Sequence, residues 1–144
     1  MEELVGKYIS FIYWYSAVYR GRELAPLNIT SGQFGLIMFL SHHDGISQGD
    51  LVEELMVDKG TVARSIQRLI EEGYVEKRRD PQDGRSFQLF ITQKGKEIVP
   101  RLKEIQQGLE NDMLTGFSQE ERAALLDMLR RAAGNLKEMK ERRG

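Results

Sequence analysis

The stretch KGTVARSIQRLIEE, residues 59–72, divides into two faces. Val62, Ile66, Leu69 and Ile70 recur at i, i+4, i+7 and i+8, the spacing of a helix stripe turned toward a core. Opposite them Thr61, Arg64, Ser65 and Arg68 stand at i, i+3, i+4 and i+7. This second stripe holds two guanidinium groups, two hydroxyls and no carboxylate, although Glu71 and Glu72 follow at once. An ordinary solvated helix face accounts for the pattern without any function. A duplex groove accounts for it too, because an arginine fork reaches guanine O6 and N7, and Ser or Thr takes base edges or phosphates. Lys59 and Gly60 lie at the helix start, where the dipole favours an anion and a phosphate backbone can approach.

The flanking sequence favours the groove. Upstream, Ser47 with Asp50 opens a short helix carrying Leu51, Leu55 and Met56, and Gln48 at its start is counted with the DNA-facing residues. Only Val57 and Asp58 separate the two helices, as in helix-turn-helix modules. Asp58 is the expected N-cap, its carboxylate accepting from the Thr61 amide. Downstream, Gly73 closes the helix and the period changes. Tyr74–Arg79 reads as a strand and Ser86–Ile91 as its partner, with Phe87, Leu89 and Ile91 on one face. The turn RRDPQDGRS, residues 78–86, joins them through the turn dipeptides Asp80-Pro81 and Asp83-Gly84. From Lys77 to Lys96 there are six Lys or Arg against two acids, a local +4 on a chain of net charge −1. Either this charge is solubilising, or the tip touches something anionic. Beside a groove-reading helix, such a tip reaches the neighbouring minor groove, whose narrow form attracts arginine. The expectation is that Arg85 enters that groove, that Asp83 pairs with its guanidinium and holds it outward, and that Lys77 and Arg79 join the contact.

The remaining segments are helical. Residues 3–24 carry Tyr8, Ile12, Tyr15 and Tyr19 at helical spacing and hold six of the twelve aromatic residues, before Ala25-Pro26 stops the helix. Thr30 with Gln33 is a capping box opening a helix that buries Phe34, Ile37 and Met38 and ends near His42-His43, with Gly45 beyond and Ile46 in a short strand. Thr92 begins a long helix to about Thr115, with Ile98, Leu102, Ile105, Leu109 and Met113 apolar. Pro100 is expected to kink it or to delay its start. Ser118 with Glu121 opens the last helix, whose stripe is Leu125, Leu129, Ala132, Leu136 and Met139. Residues 30–91 read as a compact block, with which the outer helices share no obvious core.

Composition excludes several classes. The 144 residues hold no cysteine, which removes disulfides, thiolate zinc sites and cysteine redox sensing and fits a cytoplasmic protein. Residues 1–15 do not read as a signal peptide, and no apolar run approaches the ~20 residues of a membrane span. His42-His43-Asp44 is a poor metal site, because adjacent histidines at a helix end cannot readily share one ion and no third ligand stands nearby. No phosphate-cradling glycine loop or nucleophile elbow appears, and the two histidines sit together, so an enzyme, a cofactor and a metal are not expected.

Residues 47–97, SQGDLVEELMVDKGTVARSIQRLIEEGYVEKRRDPQDGRSFQLFITQKGKE, resemble the MarR family of winged helix-turn-helix transcription regulators. The resemblance is closest in VDKGTVARSIQRLIEEGYVEK, DPQDGRS and ITQKGKE and extends over roughly residues 29–98. It implies a mainly α (α+β) fold, with a winged helix-turn-helix DNA-binding domain at 30–97 and a helical dimerisation region made of 1–29 and 98–144. It implies a recognition helix at 58–72, a wing at 74–91, and a D-x-R wing motif on Asp83 and Arg85. It further implies a homodimeric repressor on a near-palindromic operator, relieved by a small aromatic or phenolic effector. Gly84 departs from the family pattern, where many members carry a long polar residue, and suggests a looser wing tip. The apolar stripes on 98–113 and 125–139 call for a partner, which a second copy supplies; folding back onto the block as a monomer is the alternative. Tyr8, Tyr15, Tyr19 and Arg20 are candidate effector-binding residues, Arg20 suiting a carboxylate and the rings a flat ligand, or else these aromatics are dimer core. A competing class is a winged-helix module that binds protein without DNA, which would show apolar or acidic residues where Thr61, Arg64, Ser65 and Arg68 stand.

Overall fold

The computed structural model describes residues 3–55 and 57–143; Met56, expected on the first helix of the pair, lies outside them. The chain runs α1 (Val5–Leu24), a 3-10 turn (Ala25–Leu27), α2 (Ser31–Leu40), β1 (Ile46–Ser47), α3 (Gln48–Leu55), α4 (Lys59–Glu71), β2 (Val75–Arg79), β3 (Phe87–Ile91), α5 (Gln93–Met113) and α6 (Gln119–Arg143). The fold is mainly helical with one small antiparallel sheet, as expected, and it divides into two compact units, Met1–Leu109 and Glu110–Gly144.

In the first unit the helix starts follow side-chain capping. Thr30 Oγ1 accepts from the Gln33 amide at 3.2 Å while Gln33 Oε1 accepts from the Thr30 amide at 2.9 Å, so the expected box is complete. Ser47 Oγ accepts from the Asp50 amide at 3.1 Å. The sheet order is β1-β3-β2, with Val75 opposite Ile91, Arg79 opposite Phe87 and Ile46 opposite Leu89. Thr92 knits the hairpin to α5: its hydroxyl donates to Gly73 O at 2.6 Å and accepts from the Gly95 amide at 3.1 Å.

The core stripe of α4, Val62, Ile66 and Leu69, is buried against residues such as Ile37, Leu40, Leu51, Val75 and Leu89. Leu24 of α1 and Leu102 and Ile105 of α5 belong to the same cluster. Helices α1 and α5 therefore do share a core with the central block, contrary to the reading from sequence. Helical periodicity shows that a face is apolar but not which surface it meets. The boundaries of α1 and α5 lie close to the expected ones. The chain beyond α1 winds on as a 3-10 turn before Asn28 reverses it with φ 59°. Helix α5 begins at Gln93 and contains Pro100, so the proline does not delay its start; it lies on the exposed side. Phe87 leaves the core face expected of it. It is 39% exposed while Leu89 and Ile91 are buried, because the hairpin runs past the edge of the helical core.

The second unit shows the third box complete, with Glu121 Oε1 accepting from the Ser118 amide at 2.9 Å and Ser118 Oγ accepting from the Glu121 amide at 3.1 Å. On α6 the apolar stripe is uncovered, Leu129 being 47% and Leu136 58% exposed. An open cavity of about 300 Å³ is lined by Met113, Leu114, Leu125, Leu126 and Leu129, with Glu110, Arg122 and Ala123 at its edges.

Candidate nucleic-acid interface

Helix α4 presents the face read from its sequence. Thr61, Arg64 and Arg68 are exposed and Ser65 is half-buried, while the opposite stripe faces the core. Lys59 opens the helix and is exposed, and Gln48 is half-buried at the first position of α3. Asp58 caps α4 as expected, its Oδ2 accepting from the Thr61 amide at 2.9 Å and from the Thr61 hydroxyl at 3.1 Å. Those two bonds from Thr61, with a smaller contribution from the Arg64 charge, hold the Asp58 carboxyl below its ordinary pKa. The helix start thus carries the chain's own carboxylate, the cap expected from the sequence, beside Lys59 and Gly60. Arg64 Nη2 donates to Thr61 Oγ1 at 3.3 Å. Arg68 lines an open cavity of about 380 Å³ with Gly21, Ala25, Asn28, Ile29, Thr30 and Ser31. No local signal marks that cavity, because Arg68 of α4 closes a wall that residues 21–31 otherwise form.

The hairpin is built differently from the expectation at its tip. Asp83 Oδ1 accepts from the backbone amide of Arg85 at 3.0 Å, and Asp83 Oδ2 accepts from Ser86 Oγ at 3.4 Å. Asp83 therefore shapes the turn and does not pair with the Arg85 guanidinium, which among the described residues has no side-chain partner. The amide two residues ahead is the nearer donor, and such Asx turns form locally at little entropic cost. Arg79 Nη1 donates to Gly84 O at 2.9 Å and Asp80 Oδ1 accepts from the Gln82 amide at 2.8 Å, so the tip at Gly84 is tied by hydrogen bonds where a looser one was expected. Lys77 and Arg79 lie over the Phe87 ring, 5.2 and 5.7 Å from its centroid. Arg78, which pairs with Glu76, lies 4.3 Å over Phe90 on the other face. The exposed phenyl of Phe87 thus acts as a rest for two cations, a role absent from the sequence reading.

The four residues grouped as an effector site do not gather in one pocket. Tyr8 and Tyr15 are exposed on α1, each in ring contact with Phe11 at 6.4 and 6.2 Å. Tyr19 is half-buried against the core. Arg20 donates to Ser31 Oγ at 3.2 Å and to Gln106 Oε1 at 3.4 Å, and stands 5.5 Å over Phe34. None of the four lines the cavity beside Arg68; Arg20 reaches it only through Ser31. His43 stacks on Phe39 at 4.0 Å, and among the described residues no three His, Cys, Asp or Glu side chains cluster as a metal site. Among those residues, too, no helix is long and apolar enough to cross a membrane.

Residues 27–86 match the profile of the MarR family, a span from the turn after α1 to the wing tip. Over 112 residues the chain is 33% identical to the HTH-type transcriptional regulator BilQ of Clostridioides difficile strain CD3, covering 78% of this chain and 76% of that one. The chain belongs to the MarR family. Among solved structures it is similar to a MarR transcriptional regulator of Methanosarcina mazei Go1, with a TM-score of 0.91, 38% identity and coverage of 96% of this chain and 99% of that one. It is also similar to a MarR-family regulator of Listeria monocytogenes solved with a 26mer DNA, with a TM-score of 0.88, 26% identity and coverage of 96% and 91%. This MarR-family chain is a transcriptional regulator and not an enzyme, and the winged helix-turn-helix is the arrangement of α3, α4 and the β2–β3 hairpin described above. The MarR profile takes in every residue of the candidate DNA face from Gln48 to Arg85, whereas the aromatic stretch of α1 lies outside it.

Proposed function

We propose that this regulator binds duplex DNA as a homodimer, with α4 in the major groove and the tip of the β2–β3 hairpin at the adjacent minor groove. The observation that carries the reading is the exposure of Thr61, Arg64 and Arg68 on α4 and of Lys77, Arg79 and Arg85 on the hairpin that follows it. The face is cationic and hydroxylated, neither apolar nor acidic, which disfavours a module that binds protein alone. The Listeria relative solved with DNA supports the same use of the fold. In this reading residues 30–97 carry the DNA contact and 1–29 with 98–144 carry the dimer contact. The uncovered stripes of α1 and α6 support the latter. A twofold dimer calls for a near-palindromic operator with half-site centres about 34–36 Å apart, and the regulator acts there as a repressor.

The effector in this reading is a small aromatic carboxylate. Its support is the cavity beside Arg68, into whose wall Ser31 carries the Arg20 contact, so that a bound anion meets a cation of α4 directly. The test is a mobility shift on the DNA upstream of the chain's own gene, at two salt concentrations and with and without phenolic acids. For six phosphate contacts the expected loss of affinity is about 10³-fold between 50 and 200 mM salt, and the phenolic acid releases the shifted band. Absence of any shift at the lower salt overturns DNA binding; a shift that no acid relieves overturns the effector class.

A further inference from the structure

The first turn of α4 holds a short chain of polar contacts. Asp58 Oδ2 accepts the Thr61 hydroxyl at 3.1 Å, and the same hydroxyl oxygen accepts from Arg64 Nη2 at 3.3 Å. Carboxylate, hydroxyl and guanidinium are thus linked in series. Each bond polarises the next, and the hydroxyl proton committed to Asp58 leaves an oxygen lone pair turned to Arg64. The Thr61 bonds hold the Asp58 carboxyl below its ordinary pKa. Arg64 does not extend outward from this arrangement. Its head lies back across the helix start, where a Cβ placed on Gly60 would stand 3.3 Å from Arg64 Nη1 and 3.2 Å from Asp58 Oδ2. Gly60 is not among the glycines with positive φ, so the backbone does not require glycine here, and a Cβ would ask the ends of the Arg64 and Asp58 side chains to give by a few tenths of an ångström. Arg68, one turn further on, has no side-chain partner among the described residues.

We propose that Asp58, Thr61 and Gly60 are a positioning set that folds the Arg64 guanidinium over the first turn of α4, so that it meets the DNA backbone at the groove edge while Arg68 is the arginine left to read bases. The inference rests on the duplex reading above. An arginine that reads guanine must extend its fork into the groove. One that is held at the helix start adds its charge to the end of the helix nearest the phosphates. Two arginines on one face thereby have different roles: Arg64 supplies affinity common to all sequences, and Arg68 supplies discrimination.

The experiment measures binding of wild type, Arg64→Ala, Arg68→Ala, Gly60→Ala and the Gly60→Ala/Arg64→Ala double variant to the operator and to an unrelated duplex of equal length, across a salt series. Arg64→Ala is expected to weaken both duplexes by the same factor and to reduce the salt slope by about 0.9. Arg68→Ala is expected to weaken the operator at least about fivefold more than the unrelated duplex. Gly60→Ala should weaken both duplexes by one common factor, smaller than that of Arg64→Ala, yet melt no lower than wild type, because alanine is the better helix former. In the Arg64→Ala background it should change nothing. Equal losses from Gly60→Ala in both backgrounds would mean that the glycine acts on DNA directly, and would overturn the positioning set. An operator-selective loss in Arg64→Ala would overturn its backbone role. Failure of the duplex reading looks different, since wild type then binds neither duplex. The positioning set is still tested in the free protein by arginine side-chain NMR, where rotation of the Arg64 guanidinium is expected to be slower than that of Arg68 and to speed up in Gly60→Ala; equal rates overturn it.

Discussion

Asp83 and Arg85 show how one pair of residues supports two physical readings. Two residues apart at a hairpin tip, a carboxylate and a guanidinium invite an ion pair. The carboxylate instead accepts the Arg85 amide and the Ser86 hydroxyl, and the guanidinium stays open to an incoming groove. The distinction is measurable. Asparagine keeps the acceptor that the turn uses, so Asp83→Asn should not weaken operator binding, whereas an ion-paired Asp83 would make the same substitution costly. Arg85→Ala should weaken the operator by at least about 1 kcal/mol. Titration of both variants by fluorescence anisotropy checks the pair, and a smaller loss in Arg85→Ala would remove Arg85 from the minor groove.

The junction between β3 and α5 is where the wing is held to the body. Gly95 is buried, and a Cβ there would lie 2.5 Å from both Ile91 Cγ1 and the Tyr74 carbonyl oxygen. An isoleucine methylene can shift, but the backbone carbonyl just before β2 cannot without moving that strand. Gly95→Ala should therefore destabilise the fold by about 1–3 kcal/mol, read as a lower urea midpoint at unchanged slope. An unchanged midpoint would show that the strand can give way. The glycine itself is visible in ITQKGKE, but the reason for it is not, since Tyr74 stands 21 positions upstream. The ends of the helices were legible for the opposite reason. Thr30, Asp58 and Ser118 cap through bonds that span three residues, so spacing alone reveals them. Pro100 left the start of α5 open, because a proline inside a helix removes one backbone hydrogen bond that the rest of the helix can outweigh.

Taken whole, the molecule leaves much apolar surface uncovered. On α1, Tyr13, Trp14 and Tyr15 are all more than half exposed, and on α6 Leu126, Met128 and Leu136 are as well. Surface of this kind is rare on a soluble monomer. Burying each large side chain is worth about 1.5–3 kcal/mol, enough for a second copy to be held tightly. Wild type is expected to sediment as a dimer at micromolar concentration. The Leu129→Glu/Leu136→Glu variant should sediment as a monomer, keep its far-UV helical signal and lose the operator shift. A wild-type monomer at that concentration would remove the dimer.

The order of the elements, the two faces of α4, the capped helix starts and the basic hairpin were all readable from the chain, because each rests on contacts within about four residues or on the alternation of a strand. Tertiary packing decided the rest. It brought Leu24 and Leu102 into one core, set Arg68 beside a cavity walled by α1 and α2, and put Phe87 outside the core as a platform for Lys77 and Arg79. Those outcomes depend on the partners that a side chain meets across the fold and on the room left around it, and neither is encoded in local spacing.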